Sequence, residues 1–294
     1  MRFSIWPTTS QPWDNLLEVA SHAAQTGWDG IWVADHFMRP AEPADGPLLE
    51  CWSVLAGLAT SVPRLRIGPL VTGNTYRHPA VLANMAATVD QLSGGRLVLG
   101  IGAGWQENEH LAYGIEYSDV PGRLARLEES CAVLSGLLRT SRASFEGRYY
   151  HLVNAPMEPK PVQEHLPLLV GGGGEKVTLS IVAKWADEWN TWGTPEVLQA
   201  KGAVLDRHCD DLGRDPATVK RSAQVIVNLD ARAASPSRLP SVEVSASEMQ
   251  DMLARYEQSG VEEFILPDWN LGTGTARRDI MDRFLAEVAA PFRR

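Results

Sequence analysis

Short apolar runs rich in β-branched residues alternate with longer segments of helical periodicity along this chain of 294 residues. The alternation predicts eight strand–helix units, with strands near residues 2–6, 30–34, 65–73, 96–104, 166–174, 187–193, 220–230 and 262–270. Because a helix between successive strands supplies the crossover that parallel pairing requires, the strands should form a parallel sheet. Eight such units are typical of a closed (β/α)8 barrel of about 250 residues. We therefore predict an α/β protein with one (β/α)8 TIM barrel domain over residues 1–294.

Two stretches exceed what a barrel of this size requires. Residues 140–166 are rich in proline and contain the aromatic sequence FEGRYYHL, which favours a β-hairpin. Residues 231–246 are small and polar, and we expect a mobile loop there. The alternative architecture is a doubly wound open sheet. No G-x-G-x-x-G motif follows a predicted strand, since Trp105 stands where the third glycine would follow Gly100 and Gly102.

Charge and cysteine content limit the classes of partner. A net charge of −9 argues against nucleic acid or an anionic membrane as a partner. Cys51, Cys131 and Cys209 are far apart and in no metal-binding spacing, as is typical of buried, reduced thiols. The sequence shows neither the apolar segment of a signal peptide nor a run of about 18 apolar residues. We expect a cytoplasmic protein that acts on a small molecule.

The carboxyl ends of the strands are where a (β/α)8 barrel places its chemistry. The second predicted strand ends in Asp35-His36, and we predict that His36 carries a proton, since imidazole changes charge near neutral pH. Asp35 should orient that imidazole or accept hydrogen bonds from a ligand. The alternative is a structural histidine bonded to a neighbouring carbonyl. Trp6, Trp105 and Trp192 end three further strands and predict an apolar substrate pocket.

The glycines of two strand ends predict close approach of the backbone to a ligand. Gly171–Gly174 follow a strand and precede a helix that should begin near Glu175, an arrangement that binds phosphate through backbone N–H groups. The alternative is a tight turn. Gly68 and Gly73 interrupt the third strand, which indicates a bulge or a close contact with ligand. The strand ends offer too few ligands for a metal site and no serine for a Ser-His-Asp triad. They suit a large, flat ligand.

Three stretches carry a resemblance to a known family. They are GWDGIWVADHF (27–37), LVTGNTYRHPAVLANMAATVDQLSGGRLVLGIGAGWQENE (70–109) and PLLVGGGGEKVTLSIVAKWADEWN (167–190). Within the second, the phrase S-G-G-R-L-x-L-G-I-G-x-G-W is close to a family signature. The chain resembles the luciferase-like monooxygenase superfamily, the oxidoreductases that depend on flavin or coenzyme F420, and within it the F420-dependent branch.

The resemblance implies a barrel with F420, or alternatively FMN, at its carboxyl mouth, and a homodimer. It implies that His36 serves as acid or base beside the reactive ring carbon, and that a non-proline cis peptide bulges toward the ring at Leu70–Val71. The implied cofactor contacts are Asp35, Leu70, Val71, Thr72, Asn108, Gly171, Gly172, Gly173, Gly174 and Glu175.

Two departures bear on the substrate. The F420-dependent sugar-phosphate dehydrogenases of this family carry Glu at the position of Trp105, and a Trp shortly after the His where this chain has Met38-Arg39-Pro40. We therefore expect an apolar or aromatic substrate rather than a sugar phosphate.

The expected reaction is hydride transfer between deazaflavin C5 and a C=C, C=N or alcohol/carbonyl carbon. The alternatives are a reduced-FMN monooxygenase, a non-catalytic flavin- or F420-binding protein, and a metal-dependent barrel hydrolase.

Overall fold

Thirteen strands are found in the part of the chain that the structure, a computed structural model, describes: residues 1–40, 44–229 and 239–293. They are β1 Arg2–Trp6, β2 Gly30–Val33, β3 Arg66–Pro69, β4 Thr72–Gly73, β5 Leu99–Gly102, β6 Arg142–Glu146, β7 His151–Pro156, β8 Leu168–Gly171, β9 Glu188–Trp192, β10 Lys220–Gln224, β11 Ile226–Leu229, β12 Ser241–Val244 and β13 Val261–Pro267.

The main sheet is a parallel barrel. Its order is β3-β2-β1-β13-β10-β9-β8-β5-β4. β3 and β4 are two pieces of one barrel strand, so the nine segments make the eight strands predicted from the sequence. A parallel bridge between Ile67 and Leu97 joins the two ends of the sheet. The predicted (β/α)8 fold is therefore confirmed.

Nine α-helices lie within the described ranges. They are α1 Trp13–Thr26, α2 Cys51–Ser61, α3 Pro79–Ser93, α4 Glu107–Tyr113, α5 Val120–Arg139, α6 Thr178–Trp185, α7 Pro195–Asp211, α8 Ala246–Gln258 and α9 Gly274–Arg283. Left-handed Gly27 and Gly94 end α1 and α3, as expected of glycine helix stops. Two helices, α4 and α5, follow the fourth barrel strand. None of the described helices has the length and apolar character needed to cross a membrane.

The insertions differ from each other. β6 and β7 pair as an antiparallel hairpin, which confirms the prediction for residues 140–166. β11 and β12 form a small parallel ladder, so residues 241–244 are a strand and not part of a loop. The pairing with β11 satisfies their backbone, a long-range contact that composition does not reveal. Residues 231–238, the rest of the predicted mobile loop, lie outside the described residues.

The amino-terminal end of the barrel interior is closed by buried charges. Glu263 of β13 is 1% exposed and accepts hydrogen bonds from Ser4 Oγ at 2.6 Å and Trp32 Nε1 at 2.9 Å. Arg66 pairs with both Glu263 and Glu188, the latter at 2.7 Å. Burial would raise the pKa of Glu263, but Arg66 and Arg2 outweigh it and hold that pKa below its ordinary value. The buried polar groups at this end are thus hydrogen-bonded to one another, with Glu263 ionised. We call Glu263, Glu188, Arg66, Ser4 and Trp32 the plug.

Candidate active site

His36 lies directly after β2, at the carboxyl mouth of the barrel. Its Nδ1 is 2.7 Å from Oε1 of Glu109, a completely buried carboxylate on α4. The imidazole is 22% exposed. Trp105 meets it edge-on, with ring centroids 5.4 Å apart. The histidine is therefore held from one side while part of its ring faces outward.

Glu109 accepts two further hydrogen bonds. Its Oε2 lies 2.7 Å from the backbone nitrogen of Phe37, and the Tyr76 hydroxyl donates to Oε1. Burial alone would raise the pKa of Glu109, but His36, Tyr76 and the Phe37 N–H outweigh it and lower the pKa. Burial and the bond to Glu109 raise the pKa of Tyr76 well above its ordinary value. Glu109 is thus an ionised acceptor surrounded by donors.

Asp35 is engaged elsewhere than predicted. Its carboxylate is paired with Arg77 at 2.7 and 3.2 Å and accepts from the Gly73 N–H at 3.2 Å. Arg77 also bonds Glu50 at 2.6 Å. Burial raises the pKa of Asp35, and the charge of Arg77 opposes that rise. The partner of the imidazole is therefore Glu109. The Asp35 carboxylate instead binds the guanidinium of Arg77, 42 residues later in the sequence, and the backbone of β4 at Gly73. A direct ligand contact by Asp35 remains a prediction.

The peptide bond between Leu70 and Val71 is cis, as the resemblance implied. Leu70 packs in the barrel interior with Trp6 and Trp32. The glycines of the neighbouring strands make room for Val71. A Cβ on Gly102 or on Gly171 would lie 2.7 or 2.9 Å from its methyl groups.

Thr72 is placed away from the mouth. It is completely buried, and its hydroxyl accepts from Trp52 Nε1 of α2 at 2.9 Å. Of the predicted contacts in this stretch, Leu70 and Val71 face the barrel interior and Thr72 packs outward by its side chain.

The glycine loop after β8 is open on its amide side. Gly172 has φ +125° and donates to Asn190 O at 2.9 Å. Within the described ranges, the N–H groups of Gly173 and Gly174 have no hydrogen-bond partner. Lys201 Nζ lies 2.7 Å from Gly173 O and 3.3 Å from a Glu175 carboxylate oxygen. Free amides beside a cation suit an anionic group.

The predicted start of the following helix near Glu175 is wrong. Residues 175–177 form a turn, and α6 begins at Thr178. Val177 precedes the helix with φ −117° and provides no side-chain cap. Gly174 is a poor helix former and Val177 offers no side-chain oxygen to cap the first turn, which accounts for the later start.

Three tryptophans meet at the carboxyl ends of β1, β9 and β13. The ring centroids of Trp6 lie 5.6 Å from those of Trp192 and 5.0 Å from those of Trp269, and the last two are 5.8 Å apart. Trp6 Nε1 is buried and has no hydrogen-bond partner among the described residues. Trp6 and Trp192 therefore come together as predicted. Trp105 stands apart from them beside His36 and is 62% exposed.

Asn108 lies in the first turn of α4. Its Oδ1 is 3.0 Å from the Glu109 nitrogen, and its Nδ2 is 3.4 Å from Arg39 O. Its side chain thus binds the two segments that meet at the mouth.

Sequence reasoning missed Glu109, Tyr76, Arg77 and Trp269. Glu109 follows Asn108 in the motif GWQENE, and that acidic residue in a short helix at a strand end was an available signal. Its inward direction depends on how α4 packs, which the periodicity of a seven-residue helix does not define.

The features of the mouth fit a flat cofactor that carries phosphate. Aromatic rings and the Leu70–Val71 bulge provide apolar surface, and small residues line the approach. The unpartnered N–H groups of Trp6, Gly173 and Gly174 are donors ready for acceptor atoms. The fold and site define a (β/α)8 barrel with a histidine–carboxylate pair at its carboxyl mouth.

The chain belongs to the luciferase-like monooxygenase family, whose sequence profile matches residues 1–235. It is 36% identical over 174 residues to an F420-dependent glucose-6-phosphate dehydrogenase of Amycolatopsis mediterranei, covering 58% of this chain and 50% of that protein. A protein of the same name from Segniliparus rotundus is 35% identical over 225 residues, 73% of this chain and 64% of the relative. The chain thus spans about half the length of the first of these relatives.

A solved structure shares the fold across its whole length. It is an F420-dependent secondary alcohol dehydrogenase in complex with an F420–acetone adduct. The TM-score is 0.85 at 20% sequence identity, and the alignment covers 98% of each chain.

Proposed function

We propose that this protein is a coenzyme F420-dependent oxidoreductase acting on a small organic substrate with a C=C, C=N or alcohol/carbonyl group. The observation that carries the proposal is His36, held through Nδ1 by Glu109 at the carboxyl mouth. The relatives named for F420 support the choice of cofactor. Bound F420 would accept or supply a hydride at its deazaflavin C5.

His36 is the proposed proton carrier. When an alcohol is oxidised, His36 takes the hydroxyl proton while the carbinol carbon gives up a hydride and a carbonyl forms. In the reverse direction His36 returns the proton to oxygen, nitrogen or carbon. Proton transfer of this kind contributes about 10²- to 10⁴-fold in rate.

Two regions would hold the cofactor. The N–H groups of Gly173 and Gly174 would bind phosphate, with Lys201 close by, while Gly171, Gly172 and Glu175 shape the loop. Leu70 and Val71 would support the ring, and Asn108 and Asp35 would contact it or order the chain beside it.

The proposed substrate is neutral and apolar or aromatic. Three pairs of opposite charge lie at the mouth: Asp35 with Arg77, Glu109 with His36, and Asp268 with Arg277. Trp6, Trp192 and Trp269 offer aromatic surface beside them. Because Arg77 and Arg277 are already paired with carboxylates, neither is available to bind the phosphate of a sugar phosphate.

Reconstitution tests the proposal. The purified protein is titrated with F420 and, separately, with FMN, and binding is followed by calorimetry. A panel of alcohols, ketones, enones and imines is then screened for a change in F420 absorbance. We expect F420 to bind more tightly and to turn over. Tight binding of FMN with no binding of F420 overturns the proposal.

A reduced-FMN monooxygenase is the second candidate, because the family that matches is described by that activity. Oxygen consumption with reduced FMN and substrate separates it from the first. If neither cofactor supports turnover although one binds, the protein is a non-catalytic binder. The homodimer implied by the resemblance is tested by light scattering.

A further inference from the structure

The carboxylate of Glu109 has no exposure to solvent and is surrounded by three donors from two segments of the chain. His36 follows β2, Tyr76 follows β4, and the Phe37 N–H reaches the second oxygen. Because these groups converge on one carboxylate, its position is defined more tightly than that of a surface acid.

The contact determines which nitrogen of His36 carries hydrogen. An ionised carboxylate only accepts hydrogen bonds, so Nδ1 must be the donor in the 2.7 Å contact. In the neutral imidazole, Nε2 then has the free lone pair. Among the residues that the structure describes, none bonds to Nε2, and this nitrogen is left for a ligand.

The other charged groups near this pair are already engaged. Asp35, two residues after β2, and Glu50, the residue before α2, both bond Arg77. His110, the next residue on α4, is directed to Thr75 and to the Gln106 carbonyl, at 2.7 Å each. Glu109 is thus the carboxylate in contact with the imidazole.

We propose that Glu109 is a positioning residue that fixes His36 in the Nδ1–H tautomer and aims Nε2 at the reacting group of the substrate. The inference rests on the proposed role of His36. In the oxidative direction, the proton released from substrate oxygen is bound at Nε2. The resulting imidazolium is then stabilised by the negative charge of Glu109 at Nδ1–H.

The decisive variant is Glu109→Gln. The Phe37 N–H can only donate, whereas Nδ1 of a neutral imidazole and the Tyr76 hydroxyl can also accept. The amide oxygen of the glutamine should therefore face Phe37 and its NH2 should face His36. An NH2 group donates to Nδ1 and favours the opposite tautomer, with the proton on Nε2. Glu107→Gln is the matched control, because Glu107 is an exposed acid on the same helix.

Two measurements are made on each variant. The first is ¹⁵N NMR of the histidines in cofactor-free protein, with His36→Ala used to assign the signal among seven histidines. The second is steady-state kinetics with F420. For Glu109→Gln we expect the tautomer to invert and kcat to fall about 10- to 100-fold, with KM within about threefold. Glu107→Gln should match the wild type in both.

The outcomes separate the two proposals. If His36→Ala abolishes turnover while folded Glu109→Gln keeps the wild-type tautomer and kcat, the role of Glu109 is refuted and that of His36 stands. If His36→Ala turns over like the wild type, the proposed function fails, whatever the tautomer. Should Glu109→Gln not fold, Glu109→Asp carries the test. Its shorter carboxylate withdraws from Nδ1, and an unchanged tautomer together with an unchanged kcat counts against the proposal.

Discussion

The two ends of the barrel treat their buried polar groups in opposite ways. At the amino-terminal end, Glu263, Glu188 and Arg66 satisfy one another, and Ser4 and Trp32 complete the set. At the carboxyl mouth, the buried Trp6 Nε1 and the more exposed N–H groups of Gly173 and Gly174 have no acceptor among the described residues. The same strands thus carry paired polar groups that stabilise the fold at one end and unpaired donors at the other. A parallel barrel permits this separation, because its chemistry lies at the carboxyl ends of the strands.

The mouth is nevertheless not loose. His36 is fixed by Glu109, and the chain after β4 is fixed by Asp35. Several polar groups at the mouth have no hydrogen-bond partner among the described residues. They are His36 Nε2, Trp6 Nε1, the amides of Gly173 and Gly174, Gln106 Oε1 and Asn270 Oδ1. A polar atom without a partner therefore indicates a ligand contact most strongly where the side chains around it are already hydrogen-bonded.

Removing the proton carrier should have the largest effect. We expect His36→Ala to lower kcat about 10²- to 10⁴-fold, because the proton then has no positioned carrier. Its affinity for F420 should change less than about threefold, since the cofactor is held by other groups. Stopped-flow turnover and calorimetric titration measure the two quantities. A wild-type kcat would remove the functional distinction between the two ends.

Breaking the plug should affect stability and leave chemistry intact. Glu263→Ala removes one of the two carboxylate partners of Arg66 and the acceptor of the buried Trp32 N–H, and should cost about 3–5 kcal/mol of unfolding free energy. Turnover per folded molecule should stay within about twofold. Urea denaturation measures the loss, and Glu262→Ala, at the exposed neighbouring acid, should change little. Equal losses in both variants would contradict a buried plug.

Filling the space beside Val71 should disturb the mouth. In Gly102→Ala the new Cβ would lie 2.7 Å from a Val71 methyl, so Val71 must move, at a cost of about 1–3 kcal/mol. We expect weaker F420 binding as well. Gly136→Ala is the control, because its Cβ would lie 3.5 Å from Ala143 and the helix should gain about 0.5–1 kcal/mol. Thermal melts of both variants should shift in opposite directions.

The smallest effect should appear in the pH dependence of stability, and it has opposite signs at the two ends. The lowered pKa of Glu263 gives stability that is present above about pH 4.3, its value in the unfolded chain, and lost as pH falls further.

At the mouth, burial raises the pKa of Asp268 to about 6 against the opposing charge of Arg277. Its contribution is therefore fully present below about pH 3.9, its value in the unfolded chain, and declines as pH rises through 6. Melts from about pH 3 to about pH 7 should show the acid limb weakened in Glu263→Gln and the decline toward neutrality weakened in Asp268→Asn. The same profile in both variants would refute the assignment.

Periodicity predicted the barrel because strands and helices have local signatures. It placed β3 and β4 in one strand. Gly68 and Gly73 indicated an irregularity there, and the resemblance implied the cis peptide at Leu70–Val71, which is confirmed. Glu109 escaped prediction since its importance comes from a contact with His36, 73 residues away in sequence. The same reason explains Arg77, whose contact with Asp35 spans 42 residues. A single sequence does not show which charged side chains far apart along the chain contact each other.

The pieces of the mouth come from different halves of the chain. His36, Tyr76 and Glu109 all precede residue 110, whereas the glycine loop, Trp192 and Trp269 all follow residue 170. The proposed proton carrier with its carboxylate partner, and much of the aromatic surface proposed to contact a substrate, thus lie in separate stretches of sequence. Changes confined to the second half should therefore alter substrate choice without altering the His36–Glu109 contact. Chimeric barrels joined between α5 and β8 would be a natural way to retarget this scaffold.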